Sequence, residues 1–173
     1  PVDPMDFKAI DRFIRRNDIS ILVVGPEAPL VAGIVDYFQT SDKHQNLTVV
    51  GPRKAGAMLE GSKDFAKAFM VRHNIPTAAY ASFSTGQLQE AIAYLDKRKP
   101  PYVLKADGLA AGKGVVITES TEEAQKCLED MLENAAFGEA GSKVVIEQFM
   151  DGIEVSSFII TDGEAFRILP SAK

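Results

Sequence analysis

Cysteine is almost absent: Cys127 stands alone and cannot close an internal disulfide. Two histidines, His44 and His73, are too few and too scattered to build a Cys/His zinc site. No apolar run approaches the roughly 20 residues needed to span a bilayer, and no signal-peptide pattern opens the chain. A basic excess is missing too. With 19 Lys+Arg against 24 Asp+Glu the net charge is −5, which argues against an electrostatic binder of nucleic acid or of a membrane surface. Repeats and low-complexity tracts are lacking. These absences lead us to expect a cytoplasmic protein with neither nucleic acid nor membrane as partner. What is present is a 46% hydrophobic chain, too apolar for intrinsic disorder. Its 173 residues allow one large domain or two small ones. It begins at Pro1 rather than Met and stops at Lys173, so it is expected to be a piece of something longer.

The first third has a parallel α/β rhythm. Asp3-Pro4 predicts a helix start, with Phe7, Ile10, Phe13 and Ile14 along one face up to Asn17. Ile19–Val24 is a short β-branched run expected to be a buried strand. Gly25-Pro26-Glu27-Ala28-Pro29 then predicts a rigid loop, followed by a helix with Leu30, Ile34 and Tyr37/Phe38 inward. A strand over Leu47–Val50 completes the βαβ spacing. Residues 53–75 predict two helical pieces broken at Gly61, the second capped by Ser62 with Phe65, Phe69 and Met70 inward. Ile75-Pro76 ends it.

Beyond that point the rhythm changes, and we place a domain boundary near Glu60-Gly61. A Tyr80–Phe83 strand and a helix with Leu88, Ile92 and Leu95 precede the strand Tyr102–Ala106. A glycine-rich loop then leads into another strand, Val115–Ile117, instead of a helix. Ser120 and Glu123 form a capping box for a helix carrying Ala124, Cys127, Leu128 and Met131. Val144–Phe149, Glu154–Thr161 and Ala165–Leu169 are expected strands, the last two joined at Asp162-Gly163. Met58, Met70 and Cys127 are expected in the core, and His44 and His73 in water at polar helix ends.

The stretch from Lys105 to Gly114, KADGLAAGKG, is the most informative chemically. Gly108, Gly112 and Gly114 let backbone N–H groups approach a ligand closely. A string of such amides, with Lys105 and Lys113 beside it, is an anion cradle. A Walker A loop has four residues between its glycines and Ser or Thr after the lysine. Here three residues separate Gly108 from Gly112, and Gly114 follows Lys113. The dinucleotide fingerprint opens a helix, whereas this loop enters a strand. The remaining reading is a glycine lid over phosphates between two antiparallel strands.

Four stretches together resemble the glycinamide ribonucleotide synthetase (phosphoribosylamine–glycine ligase) family of the ATP-grasp superfamily. They are Val24–Leu30, Leu59–Lys63, Lys105–Val116 and Val145–Ser156, in the right order over essentially the whole chain. KADGLAAGKGV is close to a family signature. The resemblance implies a fold made of an incomplete N-terminal parallel α/β domain, residues 1–60, and the first part of an α+β ATP-grasp module with antiparallel strands, residues 61–173. It also implies that the first strand and helix of the N-terminal domain and the later half of the ATP-grasp module lie outside these residues.

By the same resemblance, Lys63 and Lys105 match the two lysines directed at nucleotide phosphates, and Gly108, Gly112, Lys113 and Gly114 match the lid. Glu147, Gln148, Phe149 and Met150 match the hinge whose backbone meets the adenine edge, and Glu154 the acid that receives the ribose hydroxyls. Positive charge at Lys63 opposes the helix dipole unless an anion is near. Glu27, at the carboxyl end of a parallel strand, matches a glutamate that touches the ribosyl substrate. The implied activity joins glycine to 5-phosphoribosylamine through glycyl phosphate, giving glycinamide ribonucleotide, ADP and phosphate in purine biosynthesis. ATP and Mg²⁺ (or Mn²⁺) are the implied cofactors, with metal ligands expected beyond Lys173, so no metal ligand and no catalytic residue is assigned here. The chain is expected to be monomeric, and inactive alone.

Other readings stay open at this point. Another ATP-grasp carboxylate–amine ligase or a biotin carboxylase would share the lid lysine and hinge, although the Gly25–Leu30 loop disfavours them. A nucleotide-binding module without catalysis is a further possibility. A dinucleotide oxidoreductase would need a glycine fingerprint opening a helix, which is missing.

Overall fold

The computed structural model describes residues 1–40, 44–109, 114–134 and 142–173. Helix α1 (Phe7–Arg16) starts later than its first turn signal suggests. Asp6, not Asp3, is the cap: its side chain accepts from the Ala9 amide, while Asp3 accepts from Met5 one turn earlier. Strand β1 (Ile21–Val23) pairs in parallel with β2 (Thr48–Val50). Between them the helix begins at once at Glu27 and is interrupted: α2 (Glu27–Ala32) and α3 (Ile34–Gln39) meet at Gly33. Gly33 has φ +96, a left-handed conformation that breaks an otherwise continuous apolar periodicity.

Ile14 of α1 and Ile34, Val35 and Phe38 of α3 form a buried cluster with Leu22 and Val49 packed against it. Both helices thus cover the same face of the small sheet. Period-two alternation turns Ile21 and Val23 to the opposite face, where they are exposed, so β1 is covered on one side only. His44 departs from expectation as well. It lies almost fully buried against the Phe38 ring, with Nε2 2.6 Å from Asp11 Oδ1. Burial alone would raise the Asp11 pKa, but hydrogen bonds from Arg15 and His44 hold it below the ordinary carboxylate value.

Helices α4 (Lys54–Gly61) and α5 (Lys63–Arg72) are separated at Ser62, whose hydroxyl accepts from the Phe65 amide. The buried face of α5 is Ala66 and Lys67, not Phe65, which is exposed. A four-stranded antiparallel sheet follows in the order β3-β6-β4-β5, from β3 (Tyr80–Ser84), β4 (Tyr102–Ala106), β5 (Val115–Thr118) and β6 (Lys143–Gln148). Helices α6 (Leu88–Leu95) and α7 (Thr121–Leu132) close one face of it. Leu104, Ala106, Val144 and Ile146 meet Leu95, Leu128 and Met131 there in the larger core.

Ser120 caps α7, accepting from the Glu123 amide, but the reciprocal half of the capping box runs through Thr118. Thr118 donates to the Glu123 carboxylate at 2.5 Å and accepts from the Ser120 amide. The chain ends in a third, two-stranded sheet, β7 (Ile159–Thr161) with β8 (Phe166–Ile168). The long strand expected from Glu154 is shorter, with only an isolated bridge from Ser156 to Ala172 before β7. At the turn, Asp162 accepts from the Glu164 and Ala165 amides and Gly163 has φ +97. Among the described residues no helix is long and apolar enough to cross a membrane.

Candidate nucleotide site

The face of the four-stranded sheet opposite α6 and α7 carries the charged residues. Along β4, Tyr102, Leu104 and Ala106 enter the core, so Val103 and Lys105 point the other way. Register places Lys105 opposite Val115 and Val145, and Val103 opposite Ile117 and Glu147. Directly opposed residues share a face. On the β5 side this face is open, Ile117 being 57% exposed with Val115 also exposed. An apolar strip therefore lies beside the Lys105 ammonium, the juxtaposition that a flat aromatic base joined to a polyphosphate would use.

On the β3 side the same face is covered by α5. Glu147, whose side chain is 8% exposed, receives Lys105 Nζ and Lys67 Nζ, each at 3.1 Å from the same oxygen. Lys67 also donates to the Thr77 hydroxyl at 2.8 Å and lies 5.7 Å from the centre of the Tyr80 ring. Lys105 thus finds its anion across the sheet in Glu147 and not in its sequence neighbour Asp107.

Asp107 performs a different task. Its carboxylate accepts from the Ser62 hydroxyl at 3.0 and 3.1 Å and from the Asp64 amide at 3.1 Å. The end of β4 is so tethered to the start of α5. Lys63 completes the tether by donating to the Gly108 carbonyl at 2.9 Å. Gly108 has φ +89, a conformation that a side chain would strain. The negative charge that the positive first turn of α5 calls for is supplied here by Asp107. Asp64 accepts from Ser82 at 2.5 Å and from Lys143 at 2.6 Å. Burial would raise the Asp64 pKa, but these donors hold it below its ordinary value, and the hydrogen bond to Asp64 holds Lys143 above its own.

Of the residues singled out in the sequence, the fold brings together Lys105 with Glu147, and Lys63 with Gly108. Gly114 closes the β4–β5 connection, its carbonyl accepting from the Ala106 amide at 2.7 Å. Gly112 and Lys113 lie outside the described residues. The Gln148 amide is used by the Ala79 carbonyl, whereas the Phe149 and Met150 amides make no backbone hydrogen bond among the described residues. Glu154 is exposed and has no hydrogen bond or ion pair with a described residue. Glu27 is the first residue of α2 and lines a concavity of about 240 Å³ with Leu30, Pro52 and Glu60. Among the described residues no group of three or more His, Cys, Asp or Glu could hold a metal ion. A groove of about 410 Å³ beside Tyr94, Arg98 and Phe149 does not include Lys105. Sequence reasoning missed Lys67 and Asp107; the visible signal for Lys67 was its i+4 spacing from Lys63 on one helix face.

A parallel βα unit followed by an antiparallel sheet is the fold this chain shares with ATP-grasp ligases. A Campylobacter jejuni biotin carboxylase superposes with a TM-score of 0.72 at 18% identity, over 95% of this chain and 36% of that one, a likeness of fold alone. The chain belongs to the phosphoribosylglycinamide synthetase family: residues 1–60 match its N domain and residues 61–173 its ATP-grasp (A) domain. The phosphoribosylamine–glycine ligase of Vibrio parahaemolyticus is 47% identical over 171 residues, 99% of this chain. The crystal structure of the Thermotoga maritima phosphoribosylamine–glycine ligase is 40% identical, with a TM-score of 0.66 over 72% of this chain and 31% of that one. The chain spans 38% of the length of the Vibrio relative.

Proposed function

We propose that this chain forms the N domain and the first ATP-binding part of an enzyme that ligates glycine to 5-phosphoribosylamine. The products would be glycinamide ribonucleotide, ADP and phosphate, formed through glycyl phosphate. The observation that carries the reading is Lys105: a partly exposed ammonium at the end of a core strand, on the open face beside Val115 and Ile117. Membership of the family, and relatives named phosphoribosylamine–glycine ligase, point the same way.

In this reading ATP lies against the open face. Its phosphates meet Lys105, Lys63 and the amides of Gly108, Gly112 and Gly114, with Lys113 as a further cation. The adenine edge meets the backbone of the hinge from Glu147 through Gln148 and Phe149 to Met150, where the Phe149 and Met150 amides have no backbone partner among the described residues. Glu154 receives the ribose hydroxyls and Glu27 touches the ribosyl substrate. The division at Glu60-Gly61 separates the two functions. Transfer of the phosphoryl group is helped by cations and amides that neutralise charge spreading over its oxygens. Mg²⁺, when present with the nucleotide, would supply further positive charge against the phosphates; the similarly folded Hydrogenobacter thermophilus biotin carboxylase domain is described with MgADP. No residue of this chain is assigned to the metal.

The test uses the complete gene product that carries this sequence. ADP release should require glycine and 5-phosphoribosylamine together, and Lys105→Ala should suppress it with little change in melting temperature. ADP release supported by a different carboxylate and amine would make it another ATP-grasp ligase. ATP binding without any ligation would make it a nucleotide-binding module.

A further inference from the structure

Glu147 holds two ammonium groups, yet only Lys105 is placed to serve a nucleotide phosphate. The two differ in how firmly they are held. Lys67 has a side chain only 10% exposed, and besides Glu147 it donates to the Thr77 hydroxyl and lies 3.4 Å from the Ala78 carbonyl. Lys105 is 29% exposed, and Glu147 is its one side-chain partner among the described residues. A lysine that serves a phosphate must leave its resting partner. The carboxylate left behind, 8% exposed, would otherwise be a buried charge without compensation.

We infer that Lys67 is a positioning residue, a permanent counter-charge on Glu147 that releases Lys105 for the nucleotide phosphates. The inference rests on the reading of Lys105 as a phosphate ligand. With Lys67 in place, Glu147 keeps an ammonium at 3.1 Å whether or not Lys105 stays. The cluster holds two positive charges against one negative, so the surplus is satisfied by a phosphate and by nothing in a bare nucleoside. Without Lys67, Lys105 and Glu147 would form a closed pair with no surplus, and ATP would have to break it.

The experiment is calorimetric titration of the complete gene product with MgATP and, separately, with adenosine. Lys67→Met should weaken MgATP by about tenfold to a hundredfold, the size of one charge-assisted contact, and leave adenosine unchanged. Removing the carboxylate should make Lys67 dispensable. In a Glu147→Gln background, Lys67→Met should change MgATP affinity by no more than about twofold. An equal loss in both backgrounds, or an equal loss for ATP and adenosine, would make Lys67 a packing residue acting through Thr77 and overturn the inference. If Lys67→Met does not fold, Lys67→Gln retains a donor for Thr77 and takes its place in both backgrounds. Lys105→Met separates the two levels of the argument. If Lys105→Met weakens MgATP and the Lys67 variants do not, the inference fails while the phosphate reading stands. If Lys105→Met leaves MgATP unchanged, the phosphate reading fails and takes the inference with it.

Discussion

Replacing Asp107 with alanine should loosen α5 from the end of β4. One carboxylate accepts from the Ser62 hydroxyl and from the Asp64 amide, one of the amides in the first turn of α5 that has no partner inside the helix. A hydrogen bond to a charged group contributes about 1.5–3 kcal/mol. The favourable charge at the helix start adds roughly 0.3–1 kcal/mol. Asp107 is only half-buried, so solvent screens it, and the lower part of that range applies: about 2 kcal/mol in all. For a chain of this size about 1 kcal/mol moves the melting temperature by roughly 2–4 °C, so Asp107→Ala should melt about 4–8 °C below the parent. Asp107→Asn keeps an acceptor for one of the two donors and should lose about half as much. Circular dichroism melts measure the whole effect. Amide hydrogen exchange locates it, since the Asp64 N–H should lose protection while the Leu104 N–H keeps it. A melting temperature within about 1 °C of the parent, with Asp64 exchange unchanged, would show that the carboxylate is merely solvated and that the tether carries no energy.

Three further outcomes follow from individual contacts. Leu104 is fully buried between the sheet and α7, so Leu104→Ala should cost about 2–5 kcal/mol, read as a fall in the urea midpoint at unchanged slope; a loss below about 1 kcal/mol would mean that the core collapses around the gap. The Asp64–Lys143 pair should stabilise only at intermediate pH. Asp64 is held below its ordinary 3.8, so its contribution is present above that value and lost as pH falls through the lower folded one. Lys143 is held above its ordinary 10.5, so its contribution is present below that value and lost as pH rises through the higher folded one. Asp64→Asn should therefore cost about 1 kcal/mol near neutrality and little at either extreme, and a cost that grows toward acid in a pH series of urea midpoints would contradict this. Burial, and secondarily the charge of Asp130, push the Cys127 thiol up to about 11. Its alkylation by iodoacetamide at mild alkaline pH should be roughly a hundredfold slower in the folded protein than in urea, and equal rates would refute the burial argument.

What could be read from the sequence was what local chemistry decides. Strand β4 runs from Tyr102 to Ala106 as its apolar run indicates, because Pro101 on one side and Asp107-Gly108 on the other leave it nowhere to extend. The break between α4 and α5 falls at Ser62, one residue past the expected Gly61, which stays in α4; the cap itself was legible, since the Ser62 hydroxyl satisfies the Phe65 amide within four consecutive residues. The interruption at Gly33 was hidden, since apolar residues recur at helical spacing on both sides and only φ +96 ends the helix there. His44 looked solvated because its neighbours in sequence are polar; Asp11, which takes it into the interior, lies 33 residues away. The site divides along the same line. Glycine spacing and flanking lysines announce Lys105 and Gly108, whereas Lys67 is committed by Thr77, Ala78 and Glu147, none of them within reach of a local pattern. Its burial contradicts the propensity of lysine for water and is tolerated only because every donor direction finds a partner.

The electrostatics of the open face run against those of the chain as a whole. A net charge of −5 would by itself disfavour a polyanionic ligand. At physiological ionic strength, however, exposed charges act over about 8 Å, so acids scattered over the surface are largely screened at the sheet. What a ligand meets there is set by the charges in contact with it. Asp64 is neutralised by Lys143, and Asp107 is spent on the first turn of α5. Glu147 is outnumbered by Lys67 and Lys105. Asp64, Asp107 and Glu147 are thus each committed to a partner within the fold, while among the described residues of the cluster one ammonium remains in surplus beside an exposed apolar strip. Affinity for a phosphorylated, flat ligand can arise in an acidic protein from that local excess, with no basic patch on its surface for composition to reveal.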